Sequence, residues 1–159
     1  MKFSDDLFDV KNDVKTASIF GVLCGVASAL ATIYDVGAAY IFIAILIGNL
    51  LALKVDGIHH VVTLVIFVLI CLVCGIPHLS FVVLLICIIS ALADEIGHEL
   101  ISKITDNQFL NLFFEYRFVM KIVILLLAVC GVFSIWIFAC FISFEIAYET
   151  AGIVFEKLN

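Results

Sequence analysis

Long apolar runs constrain this chain more than any other feature of its sequence. A helix needs about 20 mostly apolar residues to cross a hydrocarbon core about 30 Å thick. The chain of 159 residues is 65% hydrophobic and 14% charged, whereas soluble domains are about 45–50% apolar and about 25% charged. This composition predicts an integral membrane protein, and five segments are apolar enough to suggest spans: 17–34, 36–53, 61–76, 79–93 and 122–144.

Very short polar breaks separate these segments. Tyr34-Asp35 and Pro77-His78 are minimal turns, so the first two helices and the next two are expected to form tight hairpins. We predict an all-α fold, with residues 1–159 forming a single domain. Its architecture is a membrane helical bundle with five transmembrane helices, at about 17–34, 36–53, 57–76, 79–104 and 108–144.

The basic residues indicate the orientation of these spans. With five crossings, one side carries Lys157 and the other carries seven basic residues: Lys2, Lys11, Lys15, Lys54, Lys103, Arg117 and Lys121. Because Lys and Arg near span ends stay cytoplasmic, the N-terminus is predicted to be cytoplasmic and the C-terminus external. Residues 1–15 then form a cytoplasmic amphipathic leader on the membrane surface, and residues 145–159 an external segment.

The third and fourth apolar runs are too short to span a bilayer on their own. Residues 61–76 give about 24 Å of helix and residues 79–93 about 22 Å, against a core of about 30 Å. Since Pro77-His78 leaves no room externally, both helices must extend at their cytoplasmic ends, through LKVDGIHHV (53–61) and ALADEIGHEL (91–100). This extension predicts a polar cluster at the inner rim of the membrane: Asn49, Asp56, His59, His60, Asp94, Glu95, His98 and Glu99.

Arg117 is the predicted counter-ion for the acids of this cluster. The helix-capping residues Thr105-Asp106-Asn107 predict an antiparallel turn after the fourth helix. With that turn centred near residue 106, Glu95 lies level with Arg117, and the pair would be part of a hydrogen-bonded charge cluster.

Metal binding is the first functional interpretation of the cluster. Two carboxylate-x-x-His pairs, Asp56/His59 and Glu95/His98, share the spacing of the Glu-x-x-His motif found in dinuclear sites of helical bundles. Glu99, Asp94 and His60 could add ligands. Imidazole with carboxylate suits a divalent transition metal such as Zn, Fe or Mn. Residues 94–99 also resemble the HEIPHE stretch of ZIP-type metal transporters, although Asp94 and Gly97 depart from it and that family has more spans.

Other interpretations remain open. Intramembrane acids beside histidines are typical of proton relays, which five short helices would form only as an oligomer or in a membrane complex. A metal-dependent enzyme acting on a lipid and an accessory or structural subunit without an active site are further alternatives. The net charge of −6 argues against nucleic acid as a partner. The apolar composition predicts the lipid bilayer of the cell membrane as the partner. Cys71 and Cys74 form a C-x-x-C inside an apolar run, where packing between helices is the simpler role.

Overall fold

The protein is helical throughout the part of the chain that its structure describes. A computed structural model describes residues 1–55, 57–104 and 107–158, and these ranges contain helices and no strand. About 85% of the chain is helical. The helices are α1 (Lys2–Lys11), α2 (Val14–Tyr34), α3 (Val36–Leu51), α4 (Ile58–Cys74), α5 (Phe81–Ile104), α6 (Gln108–Glu115), α7 (Phe118–Val129) and α8 (Ile135–Leu158).

Three of these helices are long and apolar enough to cross a membrane, namely α2, α5 and α8. The helices α3, α4 and α7 are apolar but shorter. The all-α prediction is therefore confirmed, and the first four predicted helices coincide with α2 to α5 to within three residues at each end. The count of five spans is not confirmed by these lengths.

The prediction of one helix over residues 108–144 is wrong. Arg117 adopts a left-handed conformation with φ 50° and separates α6 from α7. Gly131, with φ 75°, lies in the break between α7 and α8, at a backbone angle that glycine tolerates better than other residues. Helix α8 continues to Leu158, so the predicted external segment 145–159 is helical as far as that residue, and its external location stays a prediction.

The chain divides into two compact units, and each is described here by itself. Unit 1 comprises Met1–Asp35, Val55–Pro77 and Ala139–Asn159. Unit 2 comprises Val36–Lys54 and His78–Phe138. The prediction of a single domain stays a prediction.

In unit 1, α2 and α4 run parallel in close contact. A Cβ atom on Gly21 would lie 2.8 Å from the carbonyl oxygen of His59, and one on Gly25 would lie 2.8 Å from that of Thr63. These separations leave no room for a side chain, so the two glycines set how closely the helices approach. The Thr63 hydroxyl also lies 2.9 Å from the carbonyl oxygen of Gly21.

Helix α1 packs across the beginning of α2 and against the last turns of α8. The Ser4 hydroxyl donates to the carbonyl oxygen of Ala17 at 2.7 Å. Leu7, Ala17 and Phe155 form a small buried apolar cluster, and the rings of Phe3 and Phe155 meet edge to face with centroids 5.4 Å apart. The two ends of the chain therefore lie at the same end of unit 1, and the predicted orientation, with the termini on opposite sides of a membrane, is not confirmed.

In unit 2, α3 runs parallel to α5. The Ser80 backbone N–H, just before α5, donates to the Tyr40 hydroxyl at 2.5 Å. Further along, a Cβ on Gly48 would lie 2.9 Å from the Cβ of Ala91. The helices α6 and α7 then return antiparallel along α5, and Gly97 lies directly against the ring of Phe114.

Candidate metal centre

Unit 1 contains a group of three side chains that could hold a metal ion. The ligand atoms of Asp5, His59 and His60 all lie within 4.8 Å of one another. His59 Nε2 lies 3.0 Å from Asp5 Oδ1, and His60 Nε2 lies 3.5 Å from the same oxygen. The two imidazole ring centroids are 4.3 Å apart.

The beginning of α4 positions both imidazoles. Gly57 is the N-cap residue, and His59 and His60 occupy the first turn of the helix. A Cβ on Gly57 would overlap the ring of His59, so the absence of a side chain there makes room for the imidazole. The Phe8 ring covers His59 from α1, with centroids 4.7 Å apart.

Asp5 reaches the histidines because α1 is docked on unit 1. Its side chain is 21% exposed and that of His60 24%, whereas His59 is only 2% exposed. Burial raises the pKa of the Asp5 carboxyl above its ordinary value, although His60, the N-terminal amine and His59 act in the opposite direction. A bound cation would favour the ionised carboxylate still more strongly than the imidazoles do.

His59 also carries a buried nitrogen whose hydrogen-bonding capacity is unused. Among residues 1–55, 57–104 and 107–158, no partner reaches its Nδ1. Buried polar atoms usually have a hydrogen-bond partner. Hydrogen bonding therefore accounts for the Nε2 side of the His59 ring but not for the Nδ1 side.

The predicted acids of unit 2 have a different environment. Arg117 Nη2 lies 2.9 Å from Glu95 Oε1, and the Glu95 side chain is 8% exposed. Both carboxylate oxygens of Asp94 accept backbone hydrogen bonds, from Val119 N at 2.9 Å and Met120 N at 2.7 Å. The prediction that Glu95 lies level with Arg117 is therefore confirmed. Asp94, on α5, accepts two of the free N–H groups at the beginning of α7.

The remaining predicted residues of unit 2 lie nearer to solvent. Glu99 contacts Lys54 at 3.0 Å and Lys103 at 3.5 Å, and its side chain is 48% exposed. His98 is exposed. Asn49 is half-buried, and its carbonyl oxygen accepts the backbone N–H of Lys54 at 2.9 Å.

The predicted metal ligands thus belong to two separately described units. His59 lies in unit 1, whereas Glu95, His98 and Glu99 lie in unit 2, and Asp56 lies outside the described residues. Metal binding by that predicted set stays a prediction. The group in unit 1 pairs His59 with His60, which was predicted as a member of the polar cluster and as a possible additional ligand.

Asp5 was missed by the reasoning from sequence. It precedes His59 by 54 residues, so no local spacing connects them. The available signal was the predicted side of the membrane. The leader and the beginning of the third predicted span were both assigned to the cytoplasmic side.

The chain was also compared with known proteins. No family model, curated protein or solved structure matches it.

Proposed function

We propose that this chain is a multi-pass protein of the cell membrane that binds a divalent transition metal ion through Asp5, His59 and His60. The observation that carries the proposal is the convergence of one carboxylate and two imidazoles, with all ligand atoms within 4.8 Å. The ligand set is that of zinc, iron or manganese sites, and the function is metal handling at the membrane.

The spacing of the ligand atoms supports this proposal. Tetrahedral zinc with bonds of about 2.0–2.1 Å has ligand atoms roughly 3.4 Å apart. The two imidazole nitrogens lie 3.0 and 3.5 Å from Asp5 Oδ1, so small side-chain rotations would admit an ion. Three protein ligands leave at least one coordination position for water or another ligand, as in zinc sites that exchange ligands.

The membrane topology belongs to the same proposal. We infer six crossings, by α2, α3, α4, α5, α7 and α8, with the shorter helices accommodated by local thinning of the bilayer. If each span crosses the membrane in the direction opposite to the span before it, α2 runs parallel to α4 and α3 runs parallel to α5. Both pairs are parallel, in keeping with six crossings. Six crossings put both chain ends on one side, in keeping with the contact of α1 with the end of α8.

The basic residues favour six crossings over five. With six, all eight Lys and Arg residues fall on the same side of the membrane, whereas five crossings leave Lys157 on the other. By the positive-inside rule that side is cytoplasmic. The proposed metal centre then faces the cytoplasm, at the inner rim of the membrane.

A second candidate function is cation or proton transport. Six crossings would bring Glu145 and Glu149 inside the last span, and both are half-buried on α8, on the same face as the buried Phe141. Acidic residues inside a span are costly and typically serve ion or proton pathways. In this case, the centre at Asp5 would be a cytoplasmic binding site for the transported ion.

Metal analysis of the purified full-length chain in detergent tests the proposal. We expect one equivalent of Zn²⁺ or Co²⁺ after dialysis, with the affinity at least tenfold weaker in Asp5→Asn and His60→Gln. These two variants alter half-buried side chains, so loss of binding through misfolding is less of a concern than for His59.

Two matched variants serve as controls. Asp9→Asn makes the same chemical change on the exposed face of α1, and His98→Ala removes an exposed histidine of unit 2. Both are expected to bind metal as the unmodified chain does. Absence of stoichiometric metal, or an equal loss in Asp9→Asn, would refute the site.

A further inference from the structure

The proposed metal centre joins two parts of the chain that are far apart in sequence. Asp5 lies on α1, whereas both imidazoles lie in the first turn of α4. An ion held by all three side chains would connect these helices directly. We propose that the centre is a latch, in which metal binding holds α1 in its docked position on α2 and α4; this inference rests on the proposed function.

Helix α1 depends on docking for its stability. It has 10 residues, and isolated helices shorter than about 12–15 residues are marginal in water. Its contacts with the rest of unit 1 include the Ser4 hydrogen bond, the packing of Leu7 and Phe3, the ring contact of Phe8 with His59, and the contact of Asp5 with the histidines. An interaction that forms only in the docked position would therefore favour the docked form over the released one.

The link between α1 and α2 is suited to this movement. Only Asn12 and Asp13 separate the two helices. Asn12 adopts the left-handed conformation with φ 51°, which Asn tolerates, and ends α1. Asp13 then caps α2 by accepting the backbone N–H of Thr16 at 3.1 Å. Rotation at these two residues would release α1 while leaving α2 intact.

Mass action gives the size of the effect. An ion that binds only the docked form shifts the ratio of docked to released protein by about 100-fold when its free concentration is 100 times its dissociation constant. Release of α1 would withdraw Asp5 and uncover Phe3, Leu7 and Phe8, so that metal supply would control whether this apolar surface is covered.

Hydrogen exchange of the full chain in detergent micelles tests the latch, with Zn²⁺ as the probe. We expect Zn²⁺ to slow exchange of the amides of residues 5–11 by at least tenfold in the unmodified chain. The amides of α7, in unit 2, are expected to be unaffected. Asp9→Asn should respond as the unmodified chain does, whereas Asp5→Asn should show no slowing.

A second variant keeps the test decisive if α1 is already fully docked without metal. Leu7→Ala truncates the buried apolar side chain of α1, so the amides of α1 should exchange faster without Zn²⁺ and recover protection with it. Stoichiometric Zn²⁺ binding with unchanged exchange in α1, in both the unmodified chain and Leu7→Ala, would overturn the latch and leave the metal centre standing. Absence of Zn²⁺ binding would overturn both.

Discussion

The two groups of acids and histidines in this protein look alike in sequence but differ in their partners. In unit 2, each described carboxylate of the group has a strong donor: Glu95 has Arg117, Glu99 has Lys54 and Asp94 has two backbone N–H groups. In unit 1, Asp5 meets two imidazoles. Imidazole is neutral or charged near neutral pH and is a metal ligand, whereas guanidinium is neither titratable in that range nor a ligand.

The difference separates structural from functional use of the same residue types. A carboxylate bound to a guanidinium or to a helix N-terminus stabilises the arrangement of helices, because neither partner titrates near neutral pH. A carboxylate shared between two imidazoles can bind a metal ion together with them, because imidazole is itself a metal ligand. The comparison therefore agrees with the proposal that the contact between α1 and α4 holds a metal ion, while the ion pair between α5 and Arg117 stabilises the packing of unit 2.

The largest expected effect comes from breaking the buried ion pair of unit 2. Arg117→Ala leaves the Glu95 charge, whose side chain is 8% exposed, without its partner. Removing one member of a buried pair costs about 3–5 kcal/mol in the free energy of unfolding. Glu95→Ala should cost less, because Arg117 is 32% exposed and its guanidinium can reach water.

Chemical unfolding in detergent measures this effect, with metal content determined in parallel. Adding Glu95→Gln to Arg117→Ala should recover part of the lost stability, since the unpaired buried charge is then gone. Metal content should stay unchanged in every folded variant. A loss of metal in folded Glu95→Ala would break the comparison and restore the prediction that Glu95 is a ligand.

The next effect concerns the two backbone N–H groups at the beginning of α7 that donate to Asp94. Asp94→Ala would leave the N–H groups of Val119 and Met120 without their acceptor, and the cost is about 2 kcal/mol in the free energy of unfolding. Asp94→Asn keeps one acceptor oxygen and should cost clearly less. Equal losses in the two variants would show that the carboxylate charge matters, rather than its hydrogen bonds.

Much of the unit 2 arrangement was predictable because it depends on local geometry. An antiparallel turn near residue 106 was enough to bring Glu95 level with Arg117, and their 2.9 Å contact agrees with that reasoning. Tyr34-Asp35 and Pro77-His78 likewise located the helix ends, because helices stop where apolar periodicity is interrupted by turn-forming residues.

The break after α7 and the role of Asp5 were not predictable in the same way. Residues 122–144 read as one apolar helix, in which Gly131 is a weak signal because glycine is frequent in membrane helices. Missing this break merged α7 and α8 into one predicted span. The contact of Asp5 with His59 depends on how α1 packs on α2, which tertiary contacts decide and local pattern does not.

The smallest effect is expected at Glu99, whose ion pairs are the most exposed contacts in the unit 2 group. The side chain is 48% exposed and contacts two lysines, which are 37% and 66% exposed. Exposed ion pairs add little to stability, because water and salt screen them and the side chains lose freedom on pairing. Glu99→Gln should therefore leave both unfolding and metal content unchanged within error, while Asp5→Asn loses metal in the same assay. If Glu99→Gln lowered the metal content as much as Asp5→Asn does, the functional centre would have to include unit 2, as the spacing of Glu95, His98 and Glu99 first predicted.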